Sequence, residues 1–338
     1  MNIAVLTMYG KAYLNNKLFD PDSCNIGENL LQPGICLKQY LEGEGHKYNT
    51  IDLYKDEKID KLVLFDIPLD SLLTLNSFKG LAAYIYRRKW RYDYLLRYCR
   101  KIPVENRILI VQEPEVVNPA SYNLQNHMKF GKILTWKRSL IDDIKYFEFN
   151  YPQVIPSHYY RVPYNEKKLL TMICGNKISN IQNELYSKRR EVIDFFEKQS
   201  GEFDLYGFGW DKVELKNYRG TVDKKLETLS KYKYSICFEN MCGVNGYITE
   251  KIFDCFFAGV VPVYWGAEDI ESYIPTDAFI DMRKFENIEQ MQEFIEGICE
   301  EDYNNYLKAA AKFLESDAFI NKFSVDAYIR SISKALGV

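Results

Sequence analysis

The stretch that decides the fold is residues 232–285, YKYSICFENMCGVNGYITEKIFDCFFAGVVPVYWGAEDIESYIPTDAFIDMRKF. Its opening apolar run, residues 234–238, has the length of a buried strand. A loop with two glycines follows, and Thr249 then precedes a segment with apolar residues at helical spacing that ends at Gly259. Residues 260–266 form a second apolar strand. The stretch therefore predicts a strand–loop–helix–strand unit, whose crossover should be right-handed.

Polar side chains gather where the first strand of this unit ends and its helix begins. Ligands of such units bind outside the carboxyl ends of the strands. The residues expected around one pocket are Glu239, Asn240, Tyr247, Glu250 and Lys251. Backbone N–H groups at a helix start favour an anion, and Lys251 adds positive charge. A phosphate-bearing ligand is expected, and Glu250 suggests that it also carries hydroxyls, as a ribose does.

The composition is that of a soluble globular protein with room for two domains. The chain has 338 residues, 47% hydrophobic and 27% charged, and its net charge of −3 gives no support for a nucleic-acid partner. The eight cysteines are scattered without a C-x-x-C pair, which favours buried thiols and a reducing compartment. The N-terminus lacks a signal-peptide pattern, and no run approaches the roughly 18 apolar residues of a membrane span. We therefore expect a cytoplasmic protein.

Strands and helices alternate along the chain, which is typical of α/β domains with mostly parallel sheets. A helix is predicted over 29–41, and the strands predicted in the first half are residues 2–7, 48–54, 61–68, 107–115 and 132–136. Residues 150–165 contain three prolines and four tyrosines without periodicity, so we interpret them as the connection between domains. The predicted domains are 1–155 and 156–338. It stays open whether the last helix packs back on the first domain.

Residues 78–100 form a basic, aromatic stretch. Leu81, Tyr84 and Ile85 lie at helical spacing within it. A basic helical face can rest on anionic lipid, which is one interpretation. The other is a charged, solvated face of a domain helix, and it is the one we favour. A peripheral contact with the inner membrane face is kept as the alternative.

Four ordered motifs in the second half resemble a known family. They are CFEN at 237–240, YITEK at 247–251, VPVYWG at 261–266 and IP-x-x-AFI-D at 274–281. In this order and spacing they resemble the sugar-nucleotide region of the α-1,3-fucosyltransferases, glycosyltransferase family 10. The resemblance implies an α/β fold with two Rossmann-like domains facing a cleft, the GT-B arrangement. It also implies that residues 1–155 bind the acceptor and residues 156–338 bind GDP-fucose.

A second cation is expected beside Lys251, because a helix end compensates only part of the roughly two negative charges of a nucleotide diphosphate. The family places an arginine at the start of a helix, with apolar residues three, four and seven positions later. Arg189 fits this spacing, and Arg190 is the neighbour with which it can be confused. Lys225 lies in a run that resembles the family. It either reaches the phosphates or lies on a solvated helix face, which we favour.

Three pocket residues also have a purely structural interpretation. Glu239 either contacts the donor or holds the loop by accepting backbone N–H bonds. Tyr247 either hydrogen-bonds the ligand or packs on the helix start, and the resemblance favours the ligand. Glu250 either contacts the nucleotide or stabilises the helix dipole, and its place in the matched motif favours the nucleotide.

Inverting sugar transfer needs a base on the acceptor side. Glu113 directly follows a predicted strand and precedes a proline, so it is expected at the carboxyl edge of the first sheet. The base proposed for the family is a glutamate in a similar strand-end setting. Glu115 is the alternative. The histidines are interpreted as ordinary surface residues: His46, His127 and His158.

We therefore predict an inverting glycosyltransferase that moves fucose from GDP-fucose to an N-acetylglucosamine- or glucose-containing glycan. No D-x-D follows a strand and no His/Cys cluster has zinc spacing, so neither a metal nor another cofactor is expected. The expected acceptor is an oligosaccharide or a lipid-linked glycan, as in protein glycosylation or bacterial surface-polysaccharide synthesis. Two alternatives stay open: a transferase of the same fold that uses another GDP-sugar, and a non-catalytic protein that binds GDP-sugars or glycans.

Overall fold

The computed structural model describes residues 1–24, 29–54, 57–67, 99–199 and 202–338. The predicted basic helix over 78–100 lies outside these ranges except for its last two residues. Its membrane contact therefore stays a prediction. In the described ranges, every helix is too short or too polar to span a bilayer.

The chain divides into two compact units. The N-terminal unit contains residues 1–152 together with 325–338, and the C-terminal unit contains residues 153–324. The observed division after Pro152 falls three residues before the predicted one. The proline-rich connection over 150–165 therefore contains the boundary.

The N-terminal unit is built on a parallel sheet. Its strands are β1 (Asn2–Thr7), β2 (Lys47–Thr50), β3 (Lys61–Phe65), β4 (Arg107–Val111), β5 (Lys132–Thr135) and β6 (Tyr146–Glu148). They lie in the order β2-β1-β3-β4-β5-β6, with every neighbouring pair parallel. Central strands such as β1 and β4 are buried almost throughout, as expected for a sheet covered on both faces. The carboxyl ends of β1, β3 and β4 therefore lie side by side.

The C-terminal unit has a second parallel sheet. Its strands are β7 (Lys168–Ile173), β8 (Phe203–Tyr206), β9 (Tyr232–Phe238), β10 (Val261–Trp265) and β11 (Ile280–Asp281). Their order is β11-β10-β9-β7-β8, again with every neighbouring pair parallel. The order reverses between β7 and β9, which makes their carboxyl ends the expected ligand site.

The helices complete both units. Those of the described ranges are α1 (Gln32–Gly43), α2 (Leu124–His127), α3 (Tyr186–Lys198), α4 (Lys225–Ser230), α5 (Glu250–Ala258), α6 (Ile288–Gly297), α7 (Glu300–Leu314), α8 (Asp317–Lys322) and α9 (Val325–Leu336). Helices α3 and α6 share one hydrophobic core of the C-terminal unit, and α4, α5 and α7 share the other. The terminal helix α9 packs on α1, β5 and β6 of the N-terminal unit.

The deciding stretch forms the predicted strand–loop–helix–strand unit, with β9 and β10 as parallel neighbours on either side of α5. Gly259 ends α5 in the left-handed conformation, with φ of 67°, which an L side chain adopts only under strain. Thr249 occupies the N-cap position, but its side chain makes no capping hydrogen bond to α5. Its hydroxyl donates instead to the carboxylate of Glu239.

Several element boundaries differ from the prediction. The strand predicted over 48–54 ends at Thr50 and continues as a 3₁₀ turn, because the Tyr54 hydroxyl donates to the Ile3 carbonyl at 2.9 Å and draws the chain back onto β1. The helix predicted from residue 29 begins at Gln32, with Pro33 in its first turn. The short elements β6, α2 and α8 were missed, since three to six residues carry little periodicity.

Candidate active site

Glu239 joins the end of β9 to the start of α5. Its side chain is 0% exposed. One carboxylate oxygen accepts the Thr249 backbone N–H at 2.8 Å, and the other accepts the Thr249 hydroxyl at 2.7 Å. Of the two roles that the sequence left open, the structure shows the loop-holding one. A direct contact between Glu239 and a donor stays a prediction.

Lys251 lies in the first turn of α5, and its ammonium is fixed among oxygens. Its Nζ is 2.9 Å from Thr249 Oγ1, 3.2 Å from Glu239 Oε2 and 3.4 Å from Glu250 Oε1. Burial opposes its charge, but the carboxylates of Glu239 and Glu250 outweigh burial and raise the pKa of Lys251. The helix start therefore carries a permanent cation at neutral pH. With 23% of the side chain exposed, that cation remains within reach of a ligand.

Arg189 is buried against the end of the same strand. Its Nη2 donates to the Phe238 carbonyl at 2.6 Å and to Asn240 Oδ1 at 3.1 Å. Its guanidinium also lies 5.3 Å from the centre of the Tyr186 ring. The structure therefore brings Arg189 to the β9–α5 connection, although 60 residues separate it from Glu250 in the sequence.

Arg190 points to different partners. Its Nη2 donates to Asn176 Oδ1 at 2.5 Å, and its guanidinium lies 5.2 Å from the Trp210 ring centre. These contacts belong to the loops after β7 and β8. The two neighbouring arginines therefore contact different residues. Of the two, Arg189 is the one that contacts Phe238 and Asn240 at the end of β9.

Asn240 and Tyr247 bound the loop between β9 and α5. Asn240 accepts the Arg189 hydrogen bond through its side chain and the Leu185 N–H, at 3.0 Å, through its carbonyl. Tyr247 is buried, with 1% of its surface exposed. This burial is consistent with the packing role that the sequence left open for Tyr247, and its donor contact stays a prediction.

Glu250 and Lys225 complete the charged cluster. Glu250 is half-exposed, and the charges of Lys251 and Lys225 overcome desolvation to lower its pKa to about 2, so it is ionised at neutral pH. Lys225 Nζ lies 2.5 Å from Asp254 Oδ2, with 23% of the lysine side chain exposed. The interpretation that Lys225 lies on a solvated helix face is therefore wrong, because its ion pair with Asp254 holds the lysine side chain against α5. Desolvation opposes the Lys225 charge, but Asp254 outweighs it and raises the pKa of the lysine.

The cluster balances its charges internally. Three cations, Arg189, Lys225 and Lys251, stand with the carboxylates of Glu239, Glu250 and Asp254. Glu239 is buried, whereas half of the Glu250 side chain is exposed. An arriving phosphate would therefore compete with Glu250, the partner that can turn outward, for the Lys251 ammonium.

Glu113 follows β4 at the carboxyl edge of the first sheet, as predicted. Its backbone N–H donates to Asp66 Oδ2 at 2.9 Å, and its carbonyl accepts the Tyr122 hydroxyl at 2.9 Å. Its carboxylate accepts the Tyr9 hydroxyl at 3.0 Å. Glu113 is thus held at its N–H, its C=O and its side chain. Glu115 is exposed two residues further on.

The sequence prediction missed Asp66 and Tyr9, which surround Glu113. Asp66 is 3% exposed and adopts φ of 54° directly after β3, where it also accepts the Gln112 N–H at 3.1 Å. Burial and the Glu113 charge raise its pKa well above the ordinary value. Desolvation and the Glu113 carboxylate likewise raise the pKa of Tyr9, which keeps Tyr9 a hydrogen-bond donor at neutral pH. The signal that could have identified them is their position in the chain. Tyr9 follows β1 and Asp66 follows β3, and these two strands are neighbours in the sheet.

Neither a metal cluster nor a histidine site is found in the described ranges. No group of three or more His, Cys, Asp or Glu side chains there could hold a metal ion. Whether the reaction needs a metal stays a prediction. The surface interpretation of His127 is wrong: the ring is 2% exposed and lies 2.7 Å from the Ser121 carbonyl and 3.1 Å from the Tyr146 hydroxyl.

Comparison with known families places the charged cluster in a recognised domain. The family model described as glycosyltransferase family 10 (fucosyltransferase) C-term matches residues 166–325. The α-(1,3)-fucosyltransferase FucT of Helicobacter pylori is 38% identical over 74 residues, which are 22% of this chain and 15% of that protein. The 4-galactosyl-N-acetylglucosaminide 3-α-L-fucosyltransferase 9 of Mus musculus is 33% identical over 118 residues, 34% of this chain and 30% of that protein. The matches thus span less than a third of these curated relatives.

A solved structure extends the comparison to the whole chain. The crystal structure of an α1,3-fucosyltransferase with GDP-fucose aligns with 100% of this chain and 90% of its own, with a TM-score of 0.52 and 16% identity. At that identity the likeness shows the fold alone. The predicted GT-B class of two parallel-sheet α/β domains is confirmed, and residues 166–325 match the C-terminal domain model of glycosyltransferase family 10, the fucosyltransferases.

Proposed function

We propose that the protein is an inverting fucosyltransferase that uses GDP-fucose. The observation that carries this proposal is the pair of cations, Arg189 and Lys251, fixed at the β9–α5 connection inside the family-matched domain. Phosphates bind where helix N–H groups and cationic side chains converge. The relatives' names and the GDP-fucose complex of the structural neighbour support fucose as the sugar.

The proposed chemistry is a single displacement. The Glu113 carboxylate takes the proton of an acceptor hydroxyl while that oxygen bonds to the anomeric carbon of fucose. The bond between that carbon and the phosphate oxygen breaks, and GDP leaves with the electron pair. Lys251 and Arg189 stabilise the charge that develops on the departing diphosphate. The fixed backbone of Glu113 supports its role, because a base acts best when its support is rigid.

The proposal includes metal independence and a glycan acceptor. Cationic side chains supply the charge that a divalent ion would otherwise provide, so transfer should persist in excess chelator. The acceptor proposed is an N-acetylglucosamine- or glucose-containing oligosaccharide, free or lipid-linked, in the cytoplasm. A panel of such glycans assayed with GDP-fucose in EDTA tests both points. Activity that returns only with added Mg²⁺ or Mn²⁺ would refute metal independence.

Donor hydrolysis without acceptor tests the donor assignment. Purified protein is incubated separately with GDP-fucose, GDP-mannose and UDP-glucose, and the release of nucleotide is measured. GDP-fucose should be consumed fastest. Faster release from GDP-mannose would favour another GDP-sugar. GDP affinity without turnover on any acceptor would favour a non-catalytic binding protein.

Arg189→Ala is expected to weaken GDP-fucose binding by about tenfold, since it removes a buried cation from the end of β9. It should also lower the free energy of unfolding by about 1–3 kcal/mol, because the Phe238 carbonyl loses its partner. Arg190→Ala is the matched control and should leave donor affinity nearly unchanged. Calorimetric titration and urea unfolding measure the two effects. A larger affinity loss for Arg190→Ala would show that the family's arginine is Arg190.

Tyr9→Phe is expected to lower kcat by about fivefold while the Kd for GDP-fucose stays constant, because it removes one hydrogen bond to a carboxylate and keeps the ring. Tyr13→Phe is the control, since the Tyr13 hydroxyl lies near Cys24 Sγ, at 3.6 Å, and not Glu113. Steady-state kinetics with saturating donor separate the variants. Equal kcat values for both would remove Tyr9 from the support of Glu113.

A further inference from the structure

The chain directly after β4 is held in place by side chains. Strand β3 pairs with β4 as far as Phe65 and Ile110, and β4 ends at Val111. The next two residues, Gln112 and Glu113, nevertheless have both of their backbone N–H groups and both of their carbonyls hydrogen-bonded. The partners of these groups are the side chains of Asp66, Tyr122, Trp136 and Tyr151. These four side chains form a clamp on the segment that carries the proposed base.

Asp66 supplies the two acceptors of the clamp. Its Oδ1 accepts the Gln112 N–H at 3.1 Å, and its Oδ2 accepts the Glu113 N–H at 2.9 Å. A carboxylate suits this position because both of its oxygens accept hydrogen bonds, whereas an amide offers one acceptor and one donor. The residue type at position 66 therefore matches the two consecutive N–H groups that it binds.

The donors of the clamp hold the carbonyls of the same two residues. The Tyr122 hydroxyl donates to the Glu113 carbonyl at 2.9 Å, and the Trp136 indole N–H donates to the Gln112 carbonyl at 3.1 Å. The Tyr151 hydroxyl also donates to the Gln112 carbonyl. With all four polar groups of the segment bonded, its backbone has little freedom to turn. The direction in which the Glu113 side chain leaves the backbone is therefore fixed.

Asp66 is an unfavourable choice for stability alone. Its φ of 54° lies in the left-handed region, which costs free energy for any residue other than glycine. Its side chain is 3% exposed, and a buried carboxylate is costly without a cationic partner. Such costs concentrate at functional sites, where the surrounding structure maintains them. Here both fall on the residue that binds the N–H of Glu113.

We propose that Asp66 is a positioning residue of the transfer reaction, which fixes the Gln112–Glu113 backbone so that the Glu113 carboxylate meets the acceptor hydroxyl. Asp66 acts through Glu113, whose carboxylate is directed further by the Tyr9 hydroxyl at 3.0 Å. The inference rests on the proposed function, because it takes Glu113 as the base. Loss of Asp66 should lower kcat and leave donor affinity unchanged, since the proposed donor residues belong to the C-terminal unit.

Asp66→Asn in the whole chain tests this role. Asparagine tolerates a positive φ, so the turn after β3 should be retained, but its amide accepts only one of the two N–H groups. We expect kcat to fall by about tenfold while the Kd for GDP-fucose changes by less than about twofold. Asp60→Asn is the matched control, because Asp60 accepts the Asn2 N–H at 2.9 Å at the amino end of the same sheet. Its kcat should stay within about twofold of wild type.

A double variant separates positioning from general support of the fold. Glu113→Gln has already lost the base, so adding Asp66→Asn should lower its residual rate by less than about twofold. An equal loss in both backgrounds would mean that Asp66 acts independently of Glu113, and it would overturn the inference. A wild-type kcat in Asp66→Asn would overturn it as well.

Failure of the proposed function gives a different result. An inactive Glu113→Gln beside a fully active Asp66→Asn removes only the positioning role, whereas a fully active Glu113→Gln removes the base and the positioning role together. Tyr122→Phe keeps the test decisive if Asp66→Asn does not fold, because it frees the Glu113 carbonyl and keeps the ring. Its kcat should fall by about threefold with an unchanged Kd for GDP-fucose, and a wild-type kcat there overturns the inference.

Discussion

Glu113→Gln is expected to lower the rate of fucose transfer by about 10³-fold, the range for loss of a general base. Glutamine keeps the size of the side chain but cannot take the acceptor proton. The hydrogen bonds of the Glu113 backbone to Asp66 and Tyr122 do not involve the side chain, so folding should be unchanged. Transfer assays with saturating donor and acceptor measure the loss, and titration with GDP should give the wild-type Kd.

Glu115→Gln is the matched control for this prediction. Glu115 is an exposed carboxylate two residues from Glu113, so it shares the loop but not the contact with Tyr9. Its variant should retain activity within about threefold of wild type. If Glu115→Gln is the inactive variant and Glu113→Gln is active, the base is Glu115. If both are fully active, the proposed displacement has its base elsewhere.

Lys251→Ala is expected to weaken the binding of GDP-fucose by about 30-fold, because the variant loses a charge-assisted contact with phosphate. It should also lower the free energy of unfolding by about 2 kcal/mol. The reason is that the Glu239 carboxylate, which is fully buried, loses its cationic partner. Calorimetric titration measures the first effect and urea unfolding the second.

A double variant separates these two effects. In Glu239→Gln/Lys251→Ala the buried charge is gone, and the glutamine can still accept the Thr249 N–H. Stability should therefore recover while donor affinity stays low. Lys224→Ala, an exposed lysine next to α4, is the control and should change neither quantity. Donor affinity that recovers together with stability would mean that Lys251 acts only by supporting the loop.

Local pattern was enough to locate the strand–loop–helix–strand unit that carries the proposed donor residues. The apolar runs of β9 and β10, the helical spacing in α5 and the glycine at its end are signals within a few residues of one another, and each appears in the structure where expected. The choice of Arg189 over Arg190 applied the spacing that the family resemblance implies, and the two arginines contact different residues in the structure. What Arg189 and Lys251 bind stays a prediction.

Local pattern did not predict which side chains pair inside the site. The sequence could not decide whether Glu239 faces a ligand or the loop, since both uses place a carboxylate after a strand. The sequence favoured a solvated helix face for Lys225, because the partner of this lysine, Asp254, lies on another helix. His127 was placed on the surface because its neighbours are polar, yet its ring is buried between Ser121 and Tyr146.

The sequence by itself determined the longer elements, their alternation and the family resemblance of residues 166–325, because periodicity and motifs are properties of neighbouring residues. Only the tertiary structure decided that Tyr9, Asp66 and Glu113 meet. They come from residues as far as 104 positions apart and are brought together by the side-by-side order of β1, β3 and β4. Strand order depends on the packing of the whole sheet, and no local stretch of sequence encodes it.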